Sequence, residues 1–559
     1  MSGPWRNLAI FLFSFSLLLS AVVGDELLAL GGESTTEVQS FTELLMVAHE
    51  NYGAEVTYRD LVYGSIHGML RTLDPHTSFL TPEAYDNMRE RQQGSFFGLG
   101  ILVSKRNGQL TVISPIEGTP AWRLGLRAGD VISTIEGEPT DTMSLDEAVS
   151  KLKGPKDTKV NITITRRSVE EPMPVAITRA EIPQNTVRYA YMMTPDVGYL
   201  RLTDFSRSTA GEMQDALAKL EGEGMQRLIL DLRGNGGGLL DQTVTVSNLF
   251  VPANSRIVET RGRVASSYQT FLADGGQQPL DIPLVVLVDQ GTASAAEILA
   301  GAIQDHDMGL IAGTPTWGKG LVQTVYNLSY GTGIALTTAK YYTPAGRLIQ
   351  RDYTSYYDYY TYYQPEEDEG EDGAGEPVPQ GPEYRTDLGR SVYGGGGITP
   401  DVLIELPDGP IELQPLYLTN AFFDFAIDFT TRNDITGLDW EPPADLLDRF
   451  RQWLDSEREE IEDLDSMFER TEAQEFARRQ IHADIFNSVF GTEASHRVQA
   501  RGDLQIQKAF DLFVEADQLL AERHSIGPDL PPRLINGLER SNLEAAGRQV
   551  PEDGVPRQD

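Results

Sequence analysis

Arg227-Leu-Ile-Leu-Asp-Leu-Arg-Gly-Asn-Gly-Gly-Gly238 reads as a short apolar strand running into a glycine turn, with a helical stretch beginning near Leu239. Two more turns share this layout. Gly291-Thr-Ala-Ser-Ala-Ala-Glu297 and Trp317-Gly-Lys-Gly320 each stand just beyond an apolar, strand-like run. From about Thr194 to Thr343 strands and helices alternate, the pattern of a sheet covered by helices, so this part is expected to be α/β.

The turns hold residues suited to a hydrolase without histidine. A serine hydroxyl is a poor nucleophile until a neighbouring base takes its proton. A lysine can be that base only if its surroundings bring its pKa down from about 10.4 toward roughly 7–8. Ser294 and Lys319 are the candidates, and Gln323 follows the lysine by four residues. Glycines on both sides of Lys319 let the backbone pack tightly around it. The seven histidines have no comparable setting. Successive N–H groups of the Gly234–Gly238 turn form a concavity suited to a developing oxyanion.

Each feature has a plainer reading. Ser294-Ala-Ala-Glu297 fits a capping box, with Ser294 as N-cap of a helix reaching about Gln304. Lys319 alone would be a surface lysine in a turn. Gly313 to Lys319 matches the first seven positions of a P-loop, but Gly320 stands where Ser or Thr must bind magnesium, and the β-branched run after it is strand-like. A dinucleotide fingerprint from Gly234 would need glycine where Leu239 stands.

Taken together the chain resembles the carboxyl-terminal processing (tail-specific) proteases. The resemblance runs over roughly residues 40–405 in the family's order. It includes Leu73-Asp-Pro-His-Thr-Ser78, a PDZ-like segment from about Gly94 to Arg167, and Val197-Gly-Tyr-Leu-Arg201. The Asp231–Gly238 turn, Ala293-Ser-Ala-Ala-Glu-Ile298 and Gly318-Lys-Gly-Leu-Val-Gln323 follow. Thr338-Ala-Lys-Tyr-Tyr-Thr-Pro344 and Gly397-Ile-Thr-Pro-Asp401 complete it. The resemblance implies Ser294 as nucleophile, Lys319 as general base and Gln323 as the residue orienting the lysine. It also implies an oxyanion hole of backbone N–H groups from Gly236, Gly237 and Ala295. Gly236 replaces a proline common in the family, and Thr292 a serine. It implies no metal and no cofactor.

The PDZ reading also has support in the residues. Phe97-Gly-Leu-Gly-Ile101 is a glycine-punctuated loop entering a strand, which offers N–H donors to a peptide's terminal carboxylate. Leu110–Pro115, Val131–Ile135 and Val160–Thr165 are strand-like, and Ser144 with Glu147 caps a helix to Leu152. The module is placed at 91–170 and read as closing with Val160–Thr165.

Composition bounds the rest. A chain of 559 residues is too long for a single core. It has no cysteine, hence neither disulfides nor thiolate metal sites. A formal charge of −37 argues against nucleic acid and against adhesion to anionic lipid. Leu8–Val23 is sixteen residues without a charge after Arg6, short for a span and right for a signal-peptide core, with an uncleaved anchor as the other reading. Either implies export, most simply to a bacterial periplasm or envelope.

The expected organisation is multidomain: a segment at 1–24 for export, a helical N-terminal region at 35–90, the PDZ domain, and a protease core at 171–405. That core holds a Tyr-rich acidic insertion at 351–393, and a helical region at 410–526 and a loose tail at 527–559 follow. In the helical region Leu446, Leu447, Phe450, Trp453 and Leu454 form one stripe and Ile461, Leu464 and Phe468 a second. Leu504, Phe510, Phe513 and Leu520 form a third, read as core or dimer seam, with adaptor binding the weaker option. The expected partners are protein or peptide substrates with free C-termini. The competing function is a non-catalytic PDZ scaffold, which has no need of Ser294, Lys319 and Gln323 together.

Overall fold

Residues 227–231, 284–288 and 310–313 are apolar on both sides, and this alone requires a sheet covered on both faces. The computed structural model describes residues 32–352, 381–406, 409–458, 461 and 464–526, apart from 168 and 277. The readings at 1–24, at 353–380 and at 527–559 lie outside the described residues. The chain divides into two compact units. One holds the described residues up to Pro82 with Gln323–Thr337, and the other Glu83–Val322 with the chain from Thr338 onward.

In the second unit a six-stranded sheet has the order Val187–Met192, Val197–Leu202, Arg227–Asp231, Leu284–Val288, Leu310–Gly313, Val402–Leu403. The first pair is antiparallel and the rest are parallel. Side chains alternate across it. Leu228, Leu230, Val286 and Val288 join the core beneath helices Thr209–Gly222, Leu240–Ser247 and Ala295–Asp305, with Ile298, Leu299 and Ile303 of the last. Ile229, Val285 and Leu287 point the other way, into a core completed by Ile506, Ala509, Phe513 and Leu519 of helices Leu504–Asp511 and Phe513–Ile526.

The C-terminal helices therefore cover the second face of this sheet. The stripe expected over Leu504, Phe510, Phe513 and Leu520 is out of phase, because the chain breaks between two helices at Leu512. Of these four only Phe513 is buried, whereas Gln505, Ile506, Ala509, Ala516 and Leu519 are. The stripe through Leu446, Phe450, Trp453 and Leu454 is consumed within the chain. With Ile461 and Phe468 it meets Phe422, Phe425, Ile481 and Phe486 in a separate helical core.

The PDZ module does not end at residue 170. Strand Val169–Thr178 pairs along Lys159–Arg166, and Ala180–Pro183 pairs with Ser95–Gly98. Its core is Leu110, Val112, Ile132, Ile135, Val160, Ile162, Ile164 and Ile177 with Leu152 and Ala148 of the helix. Ser144 caps that helix through Glu147 N–H at 3.1 Å.

In the first unit, helices Gly32–Asn51 and Tyr58–Arg71 lead to the Asp74-Pro-His-Thr77 turn. Asp74 Oδ1 accepts the N–H groups of His76 and Thr77 at 2.7 and 2.8 Å, and Oδ2 the Thr77 hydroxyl at 2.6 Å. Burial pushes the Asp74 carboxyl up, but these donors and Thr337 outweigh it and hold it below the usual range. Strand Ser78–Leu80 then pairs with Gly333–Ala335. No helix among the described residues is long and apolar enough to cross a membrane.

The stretch from Glu383 to Tyr393 is folded and does not belong to a solvated insertion. It is a hairpin, Glu383–Arg385 with Ser391–Tyr393, whose Arg390 pairs with Asp307 and Asp401 at 2.6 and 2.7 Å. Asp387 receives Nδ1 of the buried His306 at 2.8 Å, while Nε2 donates to the Arg256 carbonyl at 2.7 Å. Burial lowers the His306 pKa, but Asp387 and, more weakly, Asp305 outweigh it and raise it above 6.5. A raised histidine stabilises fully below its unfolded pKa, and that contribution is lost as pH rises through the folded value. Unfolding measured by denaturant should therefore show stability falling from about pH 6.5 upward, and His306→Gln should flatten this slope. An unchanged slope would remove His306 as its source.

Candidate active site

Three parallel neighbours, Arg227–Asp231, Leu284–Val288 and Leu310–Gly313, bring their C-terminal ends to one edge of the sheet. Open α/β sheets present their sites at such edges. The Gly234–Gly238, Gly291–Glu297 and Thr314–Gly320 turns leave from these three ends, with the serine turn in the middle. Adjacency in the sheet, not in sequence, brings them together.

Ser294 has φ +56° and ψ −116°, a conformation that costs a non-glycine residue about 1–3 kcal/mol. The turn around it is fixed at every point. Its N–H donates to Glu297 Oε2 at 2.7 Å, and its carbonyl accepts the Tyr341 hydroxyl at 2.9 Å. Glu297 closes a capping box at the start of helix Ala295–Asp305. Thr292, fully buried, donates its hydroxyl to the Leu232 carbonyl at 2.9 Å, so threonine satisfies this position as serine would. Asp289 Oδ1 takes the N–H groups of Gly234 and Gly291 at 2.8 and 2.9 Å, tying the serine turn to the glycine turn.

The same Glu297 carboxylate holds the lysine turn. Oε2 also accepts the Lys319 N–H at 2.9 Å, and Oε1 accepts the Gly318 N–H at 2.7 Å and the Thr316 hydroxyl at 2.5 Å. Glu297 is fully buried, and burial pushes its pKa up against the pull of these donors. Tyr341 repeats the connection, since the single proton of its hydroxyl is shared between the Lys319 carbonyl at 2.5 Å and the Ser294 carbonyl at 2.9 Å. Gly318 has φ +83°, and a Cβ on Gly320 would stand 2.7 Å from Gln350 N. This is why Lys319 sits between glycines.

The glycine turn lies against Ser294. A Cβ on Gly237 would stand 2.8 Å from Ser294 Cβ and 2.9 Å from Ala295 N. One reading of this turn changes. The Gly237 N–H is already given to Asn235 Oδ1 at 2.9 Å, so it is not presented to a ligand in this conformation. The N–H groups of Gly236 and Ala295 meet no acceptor among the described residues. Gly236 has open space where a side chain would stand, consistent with the replacement of proline at this position.

Gln323 belongs to the other unit. There its side-chain amide donates to the His76 carbonyl at 2.6 Å, so the Asp74–Thr77 turn positions it. In the PDZ module, Ser95–Gly98 is a strand and not a loop, because Phe96 pairs with the buried Ile182. The turn itself is Leu99-Gly100, with Gly100 at φ +78° and Ile101 starting the next strand. Carbonyls anchor it: Phe97 O accepts from Gly154 N, Leu99 O from Ala121 N and Gly100 O from Ile116 N. Phe97 is exposed and Leu99 buried.

Sequence reasoning missed Tyr341, Asp289, Asn235 and Thr316, and saw Glu297 only as a cap. For Glu297 a signal existed: it stands among Ala-Ala and Ile-Leu-Ala on a helix with no polar face. A carboxylate in such a place must find donors off its own helix.

Residues 196–355 match peptidase family S41, and residues 111–166 match a PDZ domain. A carboxy-terminal-processing protease of Bartonella bacilliformis is 37% identical over 351 residues, 62% of this chain and 80% of that protein. A carboxyl-terminal-processing protease of Synechocystis sp. is 42% identical over 51% of this chain and 68% of its own length. For the carboxy-terminal processing protease CtpA of Bacillus subtilis the figures are 34%, 62% and 76%. Ser294 stands at a strained strand-to-helix turn inside the matched segment, and the chain belongs to the carboxyl-terminal processing proteases, serine-type peptidases of family S41 that carry a PDZ domain.

Proposed function

We propose that this chain is an endopeptidase that cuts exported or misfolded envelope proteins near their C-termini through an acyl-enzyme on Ser294. The observation that carries the reading is the single buried carboxylate of Glu297, which fixes the backbones of Ser294 and Lys319 together. In this scheme neutral Lys319 Nζ takes the proton from Ser294 Oγ as Oγ bonds to the scissile carbonyl carbon. The proton then passes to the departing amine as the C–N bond breaks, and water hydrolyses the ester by the reverse roles. The Ala295 N–H and the Gly236-Gly237 turn would receive the oxyanion, Gly237 by giving up Asn235 and Gly236 with an N–H that the family's usual proline does not have. The role of Gln323 as the residue orienting Lys319 rests on the family resemblance of the Gly318–Gln323 segment. The envelope address rests on Leu8–Val23.

Incubation with a casein-like unfolded substrate tests the dyad. Ser294→Ala and Lys319→Arg should both be inactive, because arginine does not deprotonate in proteins. Gln323→Ala should keep more turnover than either, with little change in KM. Substantial proteolysis by the arginine variant would remove lysine from the mechanism.

Glu297→Gln keeps the size but puts an amide N–H₂ where an oxygen accepted N–H groups. A misplaced catalytic group costs about a hundredfold, so kcat should fall by roughly 10–100-fold with KM little changed. A rise in KM with kcat kept would assign Glu297 to substrate binding.

We further propose that the Leu99-Gly100 turn receives the substrate's terminal carboxylate. Hydrogen bonds to a charged acceptor are worth about 1.5–3 kcal/mol, so amidating the substrate's C-terminus should lower kcat/KM by roughly 10–100-fold. Equal cleavage of acid and amide would deny the PDZ module this role. Substitution of Gly100 is not a substitute test, since a Cβ there would stand 2.2 Å from Thr119 Cβ.

A further inference from the structure

The glycine turn follows directly on Arg233, whose side chain is buried and directed away from the turn, into the back of the sheet. Its Nε and Nη2 donate to the two oxygens of Asp231 at 2.9 and 2.7 Å. Its Nη1 reaches the C-terminal helices, donating to Gln505 Oε1 at 2.8 Å and pairing with Asp503 Oδ2 at 2.8 Å. Gln505 is fully buried and donates its Nε2 to the Ile404 carbonyl at 2.7 Å, so its amide is oriented with the oxygen toward Arg233. Asp503 divides its carboxylate: Oδ1 caps helix Leu504–Asp511 through the N–H groups of Gln505 and Ile506, leaving Oδ2 for the arginine. The backbone of Arg233 is held as well, its N–H by Asp231 Oδ1 at 3.0 Å and its carbonyl by Arg201 Nη2 at 3.4 Å.

We infer that Gln505 and Asp503 are positioning residues for the peptidase reaction: through Arg233 they set the Gly234–Gly238 turn, so the C-terminal helices brace the oxyanion donors. The inference rests on the reading of Gly236 as an oxyanion donor. The front of the turn is tied by Asp289 and Asn235, but these belong to the same edge of the sheet and move with it. The Arg233 side chain connects the turn's first residues to the C-terminal helices. Loss of one oxyanion donor costs about 10²–10³ in kcat, so partial displacement of the turn should cost a smaller but measurable factor.

The test uses the full chain. Gln505→Met removes both amide contacts at nearly constant volume, and Asp503→Asn keeps the helix cap while removing the charge on Arg233. Each should lower kcat by roughly tenfold with KM unchanged, and the double variant by more than either. Ile506→Val, which trims the same helix without touching Arg233, should lower Tm and leave kcat alone. Hydrogen exchange of residues 232–240 should rise in Gln505→Met placed on a Ser294→Ala background, with residues 310–316 unchanged. Wild-type kcat and exchange in both variants would overturn the brace, as would an equal kcat loss in Ile506→Val. Activity remaining in Ser294→Ala alone would instead overturn the catalytic reading, so the two failures are distinguishable.

Discussion

A buried carboxylate held by backbone and hydroxyl donors organises this site. Glu297 is buried on the first turn of its helix, and its two oxygens take N–H groups from Ser294, Gly318 and Lys319 and the hydroxyl of Thr316. Burying a charge is expensive unless it is hydrogen-bonded on all sides. Here the donors are backbone groups of two different turns, so the cost of burial is offset only when both turns are in place. The strain at Ser294, about 1–3 kcal/mol, is matched by charge-assisted bonds of about 1.5–3 kcal/mol each. Tyr341 adds a second tie between the same two residues, its one hydroxyl proton shared between the carbonyls of Ser294 and Lys319 where Glu297 takes their N–H groups.

The second constraint comes from the sheet. Parallel strands apolar on both faces need two covering layers, and this chain draws them from different parts of its sequence. Helices interleaved with the strands cover one face; the C-terminal helices cover the other. A cluster of charges, Asp231, Arg233, Arg201 and Asp503, lies at that rear interface. Tyr199 donates to Asp231 Oδ2 at 2.6 Å, and His496 lies against Tyr189 with ring centroids 4.2 Å apart. Burial first, then the positive charge of Arg201, pushes His496 down to about 4, so it is neutral at ordinary pH and adds no charge beside Arg233. Asp231 is pushed up by burial but held below the usual range by Arg233 and Arg201.

What was legible in the sequence was what is local. Ser294, Lys319 and the glycines lie on turns whose residue types carry their own physical reasons, and the strand before each turn is a continuous apolar run. The PDZ order could be read because its strands and capped helix are short and contiguous; its last strand, Val169–Thr178, was missed because Glu170, Glu171 and two prolines hide the alternation on an exposed edge. Tyr341, Asp289 and Gln505 were not legible. Their roles depend on register or on helix phase, which the break at Leu512 reset. The bond from Gly237 to Asn235 was not legible for a related reason: nothing in a run of three glycines says which N–H a neighbouring asparagine will claim.

The separations within these networks also indicate an order of assembly. The Glu297–Lys319 bond closes a loop of 22 residues, whereas Arg233 meets Gln505 across 272. Loop entropy grows only logarithmically, so the longer closure costs roughly 2 kcal/mol more. Two charge-assisted bonds to a buried arginine, at about 1.5–3 kcal/mol each, are enough to offset that difference. The serine and lysine turns can thus be set by their own neighbourhood, while the glycine turn takes its final support from the last helices of the described chain. The serine turn and the glycine turn then depend on different parts of the fold, and bringing them together requires both faces of the sheet to be covered.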